Sequence, residues 1–368
     1  MAIDRAIDPF VPWGVAAPEA EGPRLAVKDV FDVEGLPTGA GHPGRLGEPA
    51  ERDAEAVARL RAMSVFAGKT HTDELAWSLG GINQHYGAVE NPAAPGHVCG
   101  GSSSGSAAAV AGGLADIGLG TDTAGSVRVP ASYCGLYGFR PTHSRVPQTG
   151  MVPLAPSYDV PGLLTRDLPL LEWAVDALLD PAPEPKTPER VWVPADLWSE
   201  LSPRVGAALA PAIRRLGLPI DRTSFGLDVT DAFAVTQAAE VWECHGDWVR
   251  AERPEFGPGV AARFERAERL TSEEVSLAAK NVAEARLRLL ELLDGAVMAL
   301  PSAPGVAPVI GRPSRMRAAT LRLTCLAPIA GAPVLSLPVT LLDSCPLGLS
   351  LMAAPGGDMS LFALASGV

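Results

Sequence analysis

Between Cys99 and Thr142 the chain reads CGGSSSGSAAAVAGGLADIGLGTDTAGSVRVPASYCGLYGFRPT, a stretch dominated by glycine, alanine, serine and threonine. Ser104–Ala111 is small and apolar enough for a helix packed very closely against its neighbours, and Ala115–Thr121 resumes as a strand. A glycine–serine tract that runs straight into such elements is not a flexible linker. Small residues from Gly118 to Gly125 let a ligand approach the main chain. Hydroxyls clustered among glycines suit a site where backbone N–H groups and serine oxygens converge on a reacting carbonyl.

The rest of the chain must supply a core around that segment. With 368 residues, 47% hydrophobic and 20% charged, a sizeable core is possible and global disorder is excluded. A net charge of −12 argues against a nucleic-acid-binding surface and suits a soluble cytoplasmic protein. The 38 glycines and 35 prolines are spread without a period and read as tight turns. Cys99, Cys134, Cys244, Cys325 and Cys345 form no C-x-x-C pair, which points to a reducing compartment. Met1–Phe10, with Asp4, Arg5 and Asp8, shows no apolar signal-peptide core. The uncharged run Leu323–Leu342 is long enough to span a bilayer. Pro328, Gly331, Pro333 and Pro338 make it read as buried strands joined by turns, so no membrane partner is expected.

Leu25–Val30 and Val65–Ala67 read as buried strands around a helix over Asp53–Met63, with Asp53 as its cap. Pro181, Pro183, Pro185 and Pro188 break the chain after an apolar helix ending near Leu179. Amphipathic helices follow at Thr230–Val249 and Thr271–Leu293, the second opened by a Thr271/Glu274 capping box. Strand signals return at Val297–Leu300, Val334–Pro338 and Leu347–Ala353. The pattern predicts a mixed, largely parallel sheet covered by helices, in a single domain over 1–368. The segment at about 180–290 forms a helical cap that the chain leaves and re-enters.

Three patterns carry no function. Gly39–Gly44 matches GxGxxG, but Pro43 interrupts it and no helix opens there. Gly68-Lys69-Thr70 lacks the phosphate-loop glycine, Met63 standing in its place. His71 and His85 have no partner at metal-ligand spacing.

The Cys99–Thr142 segment resembles the signature of the amidase signature family: GGSS-[GS]-G-S, then G-T-D-x-[GA]-G-S-[IV]-R, then C-G-x-x-G-x-[KR]-P-[TS]. The resemblance extends to Ala26-Val-Lys28-Asp-Val, Gly68-Lys-Thr-His-Thr-Asp-Glu74, Leu300–Pro304, Gly331–Pro338 and Pro346–Gly348. Gly81–Gly87, Asn91-Pro92 and the triple serine look most like indole-3-acetamide hydrolases. The resemblance implies an α/β amidase-signature fold and amide hydrolysis without a metal or organic cofactor. It assigns Ser126 as nucleophile, Ser102, twenty-four residues earlier and after a cis peptide bond, as the bridging serine, and Lys28 as the base. Ser103 and Asp122 are expected as hydrogen-bonding supports, and the amides of Thr123, Ala124 and Gly125 as the oxyanion hole.

This set is chemically coherent. A serine hydroxyl is a poor nucleophile until a base takes its proton. Lysine serves only when neutral, so burial must lower its pKa well below about 10.4. Ala124 replaces the family's usual glycine; it keeps the N–H but adds a Cβ that would hinder a positive φ.

The acyl pocket is expected to be an apolar cleft, because the sequence shows no basic cluster. Its candidate walls are Trp77 and Tyr86, flanking the Ser78–His85 loop, and Tyr133. Neutral aryl or aliphatic amides such as indole-3-acetamide are the expected small-molecule substrates; an acidic one would require a residue such as Arg128 to face it. Other readings are a hydrolase of esters, carbamates or urea derivatives, a transamidase subunit, and a non-catalytic docking protein on the same fold. A homodimer is left open.

Overall fold

Strand-forming runs converge on one layer in the computed structural model, which describes residues 6–15, 21–181, 187–312 and 316–367. Across the sheet the order is Ile220–Asp221, Arg190–Trp192, Ala296–Pro301, Cys345–Met352, Val334–Leu342, Tyr137–Arg140, Pro161–Thr165, Ile117–Thr121, Arg24–Lys28, Val65–Thr70, Phe10–Val15. A small separate sheet joins Ala6–Ile7, Gly87–Val89 and Ile82–Asn83.

The sheet is mixed and flanked by helices, but it is not largely parallel. Arg24–Lys28 runs parallel to both its neighbours, and Arg190–Trp192 to both of its own. The other pairings, through the centre, are antiparallel. Short connections such as Asp343–Ser344 turn the chain straight back, which parallel pairing does not allow.

The small-residue segment forms the helix Ser104–Ala111, buried from Ser104 to Val110. It presses on Ile117–Thr121, whose alternate residues are glycines. A Cβ on Gly120 would lie 2.5 Å from Ser103 Oγ, so only glycine lets this helix start come so close.

Several boundaries move. The first helix is Glu55–Arg61, and Asp53 does not cap it; its carboxylate accepts the Glu34 N–H and pairs with Arg61. The Thr271 capping box forms in full ahead of Ser272–Leu293. Leu323–Leu342 is only half strand: the helices Met316–Thr324 and Leu326–Ala330 precede Val334–Leu342. Short apolar runs do not distinguish helix from strand by periodicity. Among the described residues no helix is long and apolar enough to cross a membrane.

The 180–290 segment also departs from expectation. It contributes two strands to the sheet's edge, Arg190–Trp192 and Ile220–Asp221, before its helices Thr230–Glu252 and Pro258–Glu268. Pro183 and Pro185 lie outside the described residues.

Candidate active site

Lys28 is the last residue of an interior strand and is fully buried. Its Nζ donates to Ser102 Oγ and to Thr121 Oγ1, each at 2.6 Å. Thr121 ends the adjacent parallel strand, so two strand ends place both partners by register. Burial pulls the Lys28 pKa down to about 7, against Asp73, Asp159 and Asp122, whose negative charges raise it. A lysine neutral near pH 7 can accept a proton.

Ser102 follows a cis peptide bond from Gly101. Ser103 next to it donates its backbone N–H to the Ser126 carbonyl at 3.2 Å, tying the serine tract to the second serine's turn. The Ser103 hydroxyl meets the Thr121 backbone on both sides at 3.3 Å. No hydrogen bond joins Ser126 to Ser102 among the described residues; such contacts commonly tighten only when substrate binds.

The turn carrying Ser126 is organised by Asp122. Its carboxylate accepts N–H groups from Gly125 (2.9 Å) and Val127 (3.1 Å) and pairs with Arg128 and Arg140. Burial alone would raise this group, but the two guanidiniums hold it well below the usual carboxylate range. The Gly125 amide is already committed to Asp122, whereas those of Thr123 and Ala124 carry no hydrogen bond to the described residues. The positive φ of the turn falls on Gly125 (113°) and not on Ala124, so the Ala124 Cβ is accommodated.

A narrow gap of about 10 Å³ beside Ser126 is lined by Trp77, Thr123, Ala124, Gln237, Arg317 and Leu321, among others. It shares Ser78, Leu79 and Arg317 with a larger cleft of about 360 Å³, where Tyr133 forms part of the wall. Trp77 is oriented by its indole N–H, which donates to Gln237 at 3.2 Å. Tyr86 lies elsewhere, against Trp13 and His71. Arg128 faces Asp122 and the Thr324 carbonyl, so it is not the residue that would meet an acidic substrate.

A model of the amidase family matches residues 21–252. The chain belongs to the amidase signature family. It is 34% identical to the 2-amino-5-chloromuconic acid deaminase of Comamonas testosteroni, with 99% of this chain and 84% of that protein covered. It is 42% identical to the indoleacetamide hydrolase of Pseudomonas syringae pv. syringae over 55% of this chain and 45% of that one. A crystal structure of an amidase superposes with a TM-score of 0.87 at 32% identity, covering 94% of this chain and 83% of that one. The chain is an amidohydrolase on an amidase fold.

Within this amidase, Thr121, Asp73 and Asp159 are site residues that the sequence reading passed over. All three had a signal: Thr121 precedes Asp122 in the G-T-D run, Asp73 stands in the quoted Gly68–Glu74 stretch, and Asp159 follows the signature by seventeen residues. Asp73 accepts the Gly81 N–H at 3.0 Å, and Asp159 accepts the Thr123 hydroxyl at 2.5 Å. Burial pushes both carboxyls up to about 6. Arg263 and Arg317 had no signal at all.

Proposed function

We propose that the chain hydrolyses a linear carboxylic amide through an acyl-enzyme on Ser126. Ser102 takes the Ser126 proton and passes its own to neutral Lys28 as Ser126 Oγ bonds to the substrate carbonyl carbon. The carbonyl oxygen, now an anion, is received by the amides of Thr123 and Ala124, donors worth about 3 kcal/mol each. Collapse breaks the C–N bond, and the amine leaves with the proton returned through Ser102. Water then repeats the sequence, giving R–CO–NH2 + H2O → R–COOH + NH3 in sum.

The observation that carries this reading is the fully buried Lys28 with its Nζ 2.6 Å from Ser102. A desolvated lysine clamped on a serine hydroxyl serves little structural purpose, since Thr121 and Ser102 do not neutralise its charge. A fluorophosphonate probe tests it: the wild-type chain is expected to be labelled at Ser126, and Ser126→Ala to remain unlabelled. Equal labelling of both proteins would remove Ser126 from the role.

The neutral acyl group expected from sequence rested on the lack of a basic cluster, and the fold supplies one in Arg263 and Arg317. The five free cysteines support a cytoplasmic setting. The sheet that runs from the signature strands into the 180–290 segment supports one domain.

A further inference from the structure

The cleft outside Ser126 combines Ile82, Val98 and Tyr133 with Arg263, Arg312 and Arg317. Among the described residues none of these arginines forms an ion pair. Glu74 also lines the cleft, but its oxygens accept the Gly257 N–H at 2.9 and 3.2 Å, and Oε1 lies 3.5 Å from His85 Nε2. The cleft is therefore left with excess positive charge.

Arg317 stands closest to the chemistry, because it lines the gap beside Ser126 as well as the cleft. Its helix, Met316–Thr324, is fastened to the nucleophile's turn at the other end: Thr324 Oγ1 donates to the Ala124 carbonyl at 2.5 Å. Arg317 is seven residues before Thr324, on the same face and about 10 Å along the axis. Leu321 lies between them and also lines the gap. Arg263 is fixed from another direction. It donates to the Trp77 carbonyl and sits 5.4 Å from the Trp77 ring centre, while its Nε has no partner. Burial lowers the Arg263 pKa most, the charge of Arg317 adds to that and Asp73 and Glu74 act against it, so the two cations of this cleft lie near enough to repel one another.

We propose that this cleft selects amides whose acyl chain ends in a carboxylate, held by Arg317 with Arg263 beside it. The proposal rests on the acyl-enzyme reading above and names its substrate class. A carboxylate matches the planar guanidinium fork and relieves the repulsion between the two cations. A neutral aryl group would desolvate both without compensation.

The test compares succinamate, glutaramate and adipamate with the neutral amides of equal length: butanamide, pentanamide and hexanamide. At the best length the wild type is expected to prefer the acid about 100-fold or more in kcat/KM. Arg317→Met should cut that ratio about 100-fold, chiefly through KM, with Arg317→Lys between the two. A wild-type preference for the neutral amide, or a ratio that Arg317→Met does not move, overturns the proposal. Calorimetric titration of Ser126→Ala protein with succinate, glutarate and adipate reads the cleft without turnover. Saturable binding, lost on adding Arg317→Met and weakened by Arg263→Gln, supports it; no binding of any of the three overturns it. An unlabelled Ser126 in the fluorophosphonate experiment counts against the acyl-enzyme alone, since the titration still decides the cleft.

Discussion

The turn around Ser126 and the helix Met316–Thr324 face the same gap, yet they handle charge in opposite ways. Around Ser126, Asp122 is answered by Arg128 and Arg140, and Asp159 by the Thr123 hydroxyl. Across the gap Arg317, and in the adjoining cleft Arg263, have no carboxylate within ion-pair distance among the described residues. The first arrangement fixes geometry before any substrate arrives, as bond-making at Ser126 demands. The second keeps cations ready for a group the protein does not contain. One region is built to be rigid and the other to be completed.

The most severe way to break the first region is to remove its reacting groups. Ser126→Ala and Lys28→Ala should each cost at least about 10⁴-fold in kcat, and Ser102→Ala several orders of magnitude, with unfolding midpoints near wild type. Turnover by Ser126→Ala at the wild-type rate would show that the nucleophile lies elsewhere. Asp122→Asn attacks the same region through its support. It leaves two buried guanidiniums without an anion and should destabilise the chain by about 3 kcal/mol or more in denaturant unfolding. An unchanged midpoint would mean the turn is held by something other than this carboxylate.

The pH profile gives a finer test. Lys28 is active when neutral, so kcat/KM should rise from acid to alkaline pH with its midpoint near 7, following the depressed lysine. Asp73 stabilises the charged lysine; Asp73→Asn should therefore lower the Lys28 pKa further and move the midpoint to more acid pH. A shift to alkaline pH would reverse the sign assigned to Asp73. The smallest effect is expected for Ala124→Gly, within about threefold in kcat, because the positive φ belongs to Gly125. A large gain would indicate that the Ala124 Cβ obstructs the hole.

The same contrast explains what could be read from sequence. Lys28, Ser102, Ser103, Asp122 and Ser126 sit in dense local motifs, and their roles were legible through the family resemblance those motifs carry. The hydrogen bond that occupies the Gly125 amide was not legible, since it depends on which way the Asp122 carboxylate turns. The cleft was less legible still. Arg263 lies in a helix that looks like any solvated amphipathic segment, and Arg317 follows a proline-rich stretch without periodicity. They meet only because the chain returns from the sheet's edge, a contact of high sequence separation that no spacing rule records. Tyr86 shows the reverse case: it flanks the Ser78–His85 loop in sequence, and its ring packs on Trp13 and His71.

The two edge strands have a consequence for how such a protein can change over time. Among the described residues Ile220–Asp221, at one edge, pairs only with Arg190–Trp192, which in turn reaches the rest of the sheet through Ala296–Pro301. Everything from the edge strands to the helix Ser272–Leu293 therefore enters the sheet at one strand junction, and its helices are fastened to the rest by side-chain contacts such as Gln237 to Trp77 and Glu74 to the Gly257 N–H. Substitutions, insertions or exchange of this block between relatives can reshape a cleft wall, Arg263 included, while the register of Arg24–Lys28 against Ile117–Thr121 stays as it is. The block can thus vary one wall of the cleft, while Ile82, Tyr133 and Arg317, which line the rest, lie outside it.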